Sequence, residues 1–224
     1  RFSIIVPVDH GLTMGAIDGL HPVKNIINCI DNPYVSSLIA HKGIWIKLVD
    51  YGLPTSNKGM IVHLNGMTSN SETPDEKHLL CSMESAVRLG ADGVSIQLNF
   101  NGRTDKHNLI MLGQFTDEAQ NHSLPTLLMA YNKYSGTADL DKTRHLIRIA
   151  IELGVDAIKI ALPSEKNQIK EITNGFADDI KIFFAGGAVS DEEVFLDFVE
   201  NAAQSKAAGL CVGRNIFQRN NVKE

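Results

Sequence analysis

The sequence predicts a (β/α)₈ TIM barrel, and three observations carry that expectation. Eight short runs rich in β-branched and aliphatic residues recur along the 224 residues. Helical patterns separate the later runs, as parallel strands joined by crossover connections require. A nine-residue pattern also occurs twice, as RLGADGVSI at 88–96 and ELGVDAIKI at 152–160. Two βα units of ~30 residues give that offset. The rival fold, an open doubly wound sheet, has fewer strands and a glycine-rich turn after its first. No such turn follows SIIVPV.

The strands are read at 3–8, 34–39, 60–65, 93–98, 125–131, 156–161, 180–184 and 208–212. A helix is expected over 74–89, where Thr73-Pro74-Asp75-Glu76 has the form of a capping box with proline in the first turn. Leu79, Met83 and Ala86 give it one apolar stripe, and Leu89-Gly90 ends it. Leu109, Leu112, Phe115 and Ala119 predict a helix over 108–121. Leu146, Ile149, Ala150 and Leu153 predict another over 141–153, stopped by Gly154. Ser190 and Glu193 form an S-x-x-E start for a helix over 191–203. The interval 44–58 shows no clear period. The length suits one domain spanning 1–224 around one core.

Composition narrows the function. With 43% hydrophobic residues and 21% charged, the chain is no disordered or low-complexity polymer. A net charge of -5 argues against nucleic acid, whose binding needs a surplus of Lys and Arg. Cys29, Cys81 and Cys211 lie far apart, which is no disulfide framework and fits a reducing compartment. The opening apolar run is far shorter than the ~20 residues that span a bilayer. No secretory signal is visible, so a cytoplasmic protein that avoids membranes is expected.

Four places along the chain carry candidate chemistry. In Asp156-Ala157-Ile158-Lys159-Ile160-Ala161, strand alternation puts Lys159 between Ala157 and Ala161 on one face. The isoleucines belong against the helices, so the lysine points into the barrel. A buried ammonium is either paired or has a lowered pKa, and a lowered pKa favours attack on a carbonyl to form a Schiff base. The plainer reading is a lysine that snorkels from a strand end. Asp9 follows the first strand, at the end where barrel active sites assemble, as a catalytic carboxylate or as a loop cap. Tyr131 ends the fifth strand on the face of Leu127 and Met129, either to exchange a proton or simply to pack.

The fourth place is a pair of glycine signals, Phe184-Ala185-Gly186-Gly187 after strand seven and Val212-Gly213-Arg214-Asn215 after strand eight. Glycine lets backbone N–H groups approach phosphate oxygens, and Arg214 adds a charge-assisted donor. The alternative is a pair of tight turns. The eight histidines are dispersed, with no HExxH or comparable cluster, so no metal and no cofactor are expected.

Taken together, VPVDHG, IVHLNGMT, SAVRLGADGVSIQLN, IELGVDAIKI, FFAGG and CVGRNIFQ resemble the DhnA-type class I aldolase family (DeoC/FbaB-like) over residues 3–219. The motifs are most similar to the family's 2-amino-3,7-dideoxy-D-threo-hept-6-ulosonate synthases, with archaeal-type class I fructose-bisphosphate aldolases as the alternative. The resemblance implies a Schiff-base enzyme that makes or breaks a C–C bond in a phosphorylated keto-sugar. Lys159 would be the Schiff-base lysine, Tyr131 the acid/base group and Asp9 an active-site carboxylate. Gly186, Gly187, Gly213 and Arg214 would hold phosphate. A homo-oligomer, as large as a decamer of two rings, is also implied.

Two departures bear on specificity. Tyr131-Asn132-Lys133 stands where the family has Tyr-Pro-Arg-Gly, which leaves Lys133 to supply a positive charge with less geometric precision. Ile160-Ala161-Leu162-Pro163 replaces a more polar pattern after the lysine. A phosphate-binding barrel isomerase and a family member without catalysis are the remaining readings.

Overall fold

The computed structural model describes residues 2–52, 57–134, 140–163 and 165–219. Eight parallel strands close into a barrel: β1 (Ser3–Pro7), β2 (Val35–Ala40), β3 (Gly59–His63), β4 (Gly93–Phe100), β5 (Thr126–Asn132), β6 (Ala157–Ile160), β7 (Lys181–Ala185) and β8 (Gly209–Cys211). Each strand pairs with its sequence neighbour, and β1 closes the ring on β8. All eight fall within two residues of the bounds read from sequence.

Alternation sorts the side chains into two layers. Ile5, Ile39, Leu127, Met129, Phe183 and Cys211 fill the inside of the barrel. Val6, Leu38, Val62, Ile96, Leu128, Ile158, Ile182 and Leu210 face outward, packed with the helices and almost fully buried. Full burial of such a side chain stabilises the fold by ~1.5–3 kcal/mol, so slipping one strand by one residue would forfeit several of these at once.

The internal repeat has a structural cause. Gly90 and Gly154 end their helices at φ +79° and +75°, in the left-handed region that glycine tolerates. The aspartate two residues later then staples the preceding strand. Asp92 Oδ2 accepts the Met60 N–H at 2.7 Å, and Asp156 Oδ2 accepts the Thr126 N–H at 2.8 Å.

The helices hold three corrections. The stretch 74–82 is not helical: helix Met83–Arg88 begins only after Ser82, whose Oγ accepts the Ser85 N–H at 3.3 Å. Tertiary partners take the backbone groups instead. His78–Leu79 pairs antiparallel with Asn65–Gly66, and the Leu80 and Cys81 N–H groups both reach the Leu64 carbonyl. Thr73 is therefore a turn residue and no helix cap. The cap of helix Glu192–Ala203 is Asp191, which accepts the Glu193 N–H at 3.0 Å, while Ser190 donates its own N–H to Asn215.

The interval 44–58 overlaps a helix at Lys42–Asp50. It buries Trp45 and Leu48 yet exposes Ile46 and Val49, so apolar residues surround it and erase the period. Residues 53–56 lie outside the described ones. Helices Asp105–Asn121 and Leu140–Glu152 match expectation closely. A further helix over Lys166–Phe176 fills the β6–β7 crossover.

Candidate active site

Lys159 lies in β6, where its register partners are Met129 of β5 and Phe183 of β7. Its side chain is inside the barrel and the residue is 5% exposed. Ile158 and Ile160 point the other way into the helical layer, which is the division the alternating sequence requires. Nζ lies 3.9 Å from the Met129 sulfur. Burial pulls the ammonium pKa down, but Cys211, Tyr131 and Asp9, each negative when ionised, and a hydrogen bond with Tyr131 outweigh it, so the net direction is up. The balance therefore favours the charged ammonium and not a lowered pKa. Burial pushes the Cys211 thiol up to about 11, so at neutral pH the thiol brings no negative charge to Lys159, whereas the Asp9 carboxylate does.

Asp9 stands just beyond β1, as the residue preceding the short helix His10–Met14. Burial alone would raise its pKa; the charges of His63, His10, Lys159 and His41 lower it to about 2. Its Oδ2 is 3.8 Å from His63 Nε2 and its Oδ1 is 3.8 Å from His10 Nδ1. Both separations exceed a hydrogen bond. Among the described residues, Asp9 Oδ1 and His10 Nδ1 are buried with no hydrogen-bond partner.

The imidazoles are held neutral by burial. His63 drops to about 4, and His10 and His41 are also lowered, with Asp9 opposing each shift. His63 Nδ1 is fixed by the Ser95 hydroxyl at 2.8 Å. Next to it β4 presents Gln97 and Asn99, the register partners of the inward Met129 and Tyr131. Gln97 Nε2 donates to Asn99 Oδ1, and Asn99 Nδ2 donates to Asp75 Oδ1, both at 3.0 Å. His63 of β3 with Ser95, Gln97 and Asn99 of β4 thus makes a polar wall, while Phe183 and Cys211 make the β7–β8 wall apolar.

The two glycine loops meet above that apolar wall. A Cβ on Gly186 would come within 2.7 Å of Val212 Cγ1, and Gly187 has φ +71°. A Cβ on Gly213 would meet His10 Cε1 at 2.8 Å and the Pro7 carbonyl oxygen at 2.9 Å. These contacts leave no room for a side chain at 186 or 213. Asn215, which the sequence reading gave no role, fastens the loops to each other. Its Nδ2 donates to the carbonyls of Gly186 and Ala188 at 2.8 and 2.7 Å, and its Oδ1 accepts the Ser190 N–H. Arg214 Nε is buried with no hydrogen-bond partner among the described residues.

One further group went unnoticed in the sequence. Lys77 was expected on a helix, and instead sits in the β3 loop, 3% exposed. Nζ reaches the Met67 carbonyl at 3.5 Å. Burial and the charge of Lys133 lower its pKa against the pull of Asp75 and Asp9. It is a second buried amine close enough to the mouth to sense both Asp9 and Lys133. No spacing marks it, because only the loop's tertiary pairing turns it inward.

Comparison with known proteins bears on the family and the fold. The family model described as DeoC/LacD family aldolase matches residues 3–219. A 2-amino-3,7-dideoxy-D-threo-hept-6-ulosonate synthase from Archaeoglobus fulgidus is 31% identical over 215 residues, 96% of this chain and 79% of that protein. A class 1 fructose-bisphosphate aldolase from Halobacterium salinarum is 24% identical over 224 residues, 96% of this chain and 84% of that protein. Among solved structures, an archaeal fructose-1,6-bisphosphate aldolase with its catalytic lysine bound to the carbinolamine intermediate superposes with a TM-score of 0.87 at 26% identity. It covers 99% of this chain and 89% of its own.

Proposed function

The chain belongs to the DeoC/LacD family of aldolases, and from that premise we propose that Lys159 is the amine with which this class I aldolase forms its Schiff base. The observation that carries the assignment is its burial at the end of β6, inside the barrel, facing a carboxylate and a phenol. At rest the amine is an ammonium balanced by Asp9. Attack on a keto-sugar carbonyl needs the neutral amine, so its proton leaves as nitrogen bonds to carbon, and the carbinolamine then loses water. Tyr131 shuttles the proton to the departing oxygen and to the sugar hydroxyl at the bond that breaks or forms. Asp9 holds hydroxyls and steadies the cationic iminium, which serves as the electron sink.

The substrate is a phosphorylated keto-sugar. Its phosphate lies on the backbone N–H groups near Gly186, Gly187 and Gly213, with Arg214 beside it, so binding energy far from the reacting carbon supplies alignment. The unpartnered Arg214 Nε supports that placement. Within the family we favour a 2-amino-3,7-dideoxy-D-threo-hept-6-ulosonate synthase over a fructose-bisphosphate aldolase, because the synthase relative is the more similar in sequence. Lys133, with Lys77 behind it, supplies the charge that the family's arginine would bring. The chain works in the cytoplasm as a homo-oligomer; the exposed Tyr34, Val194 and Leu196 support association.

Borohydride reduction in the presence of a ketose phosphate tests the assignment. The substrate's mass should appear on the peptide containing Lys159, and Lys159→Met should abolish it with the fold intact. An adduct on Lys77, or on no lysine with any ketose phosphate tried, rejects it.

A further inference from the structure

Outside the barrel mouth, Glu76 and His78 from the β3 loop approach His107 in the first turn of helix Asp105–Asn121. One ligand atom from each lies within 4.8 Å of the others. We propose that these three residues bind a divalent transition-metal ion of zinc type, which staples the loop carrying Lys77 to the start of that helix.

The donor chemistry selects the ion. Two imidazoles and one carboxylate suit zinc and its neighbours, whereas magnesium and calcium favour oxygen ligands throughout. Bonds of about 2.0–2.2 Å hold tetrahedral donors about 3.4 Å apart, so a modest rotamer adjustment closes the set. Glu76 and His78 are free to make it, with side chains 38% and 50% exposed, and they already stand 3.8 Å apart. The imidazoles of His78 and His107 meet edge to face at 5.2 Å.

A second observation points the same way. His107 Nε2 is 2.7 Å from the Lys77 carbonyl oxygen. A carbonyl only accepts, so Nε2 carries the hydrogen and the lone pair is on Nδ1. Metal-binding histidines commonly donate their other N–H to a backbone carbonyl in this way, which fixes the tautomer and raises ligand basicity. Here that carbonyl belongs to the residue between the other two ligands. An ion would therefore close a short ring of contacts around Lys77 from its solvent side, while its side chain stays in the mouth. Sequence reading missed the cluster because an i, i+2 pair in a loop and a histidine far along the chain form no motif.

The inference is independent of the role given to Lys159, and it is tested on the chelator-treated full chain by titration with Co²⁺ and Zn²⁺. Co²⁺ should bind one-to-one with a visible absorption band, Zn²⁺ should displace it, and Mg²⁺ should not. Amide hydrogen exchange over 67–79 and around His107 should slow when zinc is added. His78→Ala removes a half-exposed ring that makes no hydrogen bond to the backbone among the described residues, and it leaves the strand pairing with Gly66 in place, so it should fold normally and bind Co²⁺ at least about tenfold more weakly. Glu76→Gln keeps the side-chain shape and should also weaken binding. Unchanged affinity in both variants, or exchange protection elsewhere in the chain, overturns the proposal.

Discussion

Met129 and Lys159 are register partners across β5 and β6, with the thioether sulfur 3.9 Å from the amine. The sulfur is a weak acceptor, so it packs against the amine without holding its proton. Tyr131 follows two residues along β5, on the same face and one level nearer the mouth. The amine and the phenol are thus stacked along the barrel axis by strand alternation alone.

That stacking separates two steps. Tyr131→Phe should slow single-turnover C–C cleavage by ~10²–10⁴-fold, the usual contribution of a positioned acid or base. The same variant should trap borohydride-reduced adduct to nearly the wild-type extent, because the ring stays and Lys159 is untouched. Near-normal turnover would make Tyr131 a packing residue; loss of both readouts would place it in iminium formation.

Arg214 and Asn215 should act on phosphate in different ways. Arg214→Ala removes a charge-assisted donor worth ~1.5–3 kcal/mol, so KM for a phosphorylated substrate should rise about 10- to 150-fold, with a smaller change for an unphosphorylated analogue. Asn215→Ala removes no charge but takes the amide away from the part-buried carbonyl of Gly186, at up to ~1–3 kcal/mol. Urea unfolding should therefore show a larger stability loss in Asn215→Ala than in Arg214→Ala. Equal KM changes on both substrates would count against the phosphate assignment.

Stability should fall on mild acidification because of His63. Its pKa is depressed from 6.5 to about 4 in the fold, so between those values the unfolded chain binds a proton that the native chain refuses. The contribution is complete above pH 6.5 and is lost as the pH falls toward 4. His10 and His41, also lowered, add in the same direction. Asp9 acts at lower pH, between its ordinary value of 3.8 and about 2. The stability difference between wild type and His63→Gln, measured by urea unfolding at pH 7 and 4.5, should narrow at the lower pH. A constant difference would mean that His63 does not titrate there.

Strand periodicity was easily legible, because two buried layers impose alternation on every strand. Lys159 could be read from it, since a lysine between small inward residues stands out against Ile158 and Ile160. Gly186, Gly187 and Gly213 stood out by their clustering after strands seven and eight. Lys77, Asn215 and the loop over 74–82 could not be read, because contacts distant in sequence fix them. The apparent capping box at Thr73 is a local preference overruled by the pairing of His78–Leu79 with Asn65–Gly66. Ser190 failed as a cap for the same reason: Asn215, 25 residues further along, holds its N–H.

The two walls beside Lys159 carry one more consequence. On β5 the nitrogen has the Met129 sulfur beside it, with the Tyr131 ring two residues nearer the mouth; the register partner of Lys159 on β7 is Phe183, and Cys211 lies on β8. A planar carbon joined to that nitrogen has two faces that achiral solvent treats alike. The surroundings of Lys159 differ from one side to the other, so under the role proposed for it the two faces of such a carbon would meet different side chains.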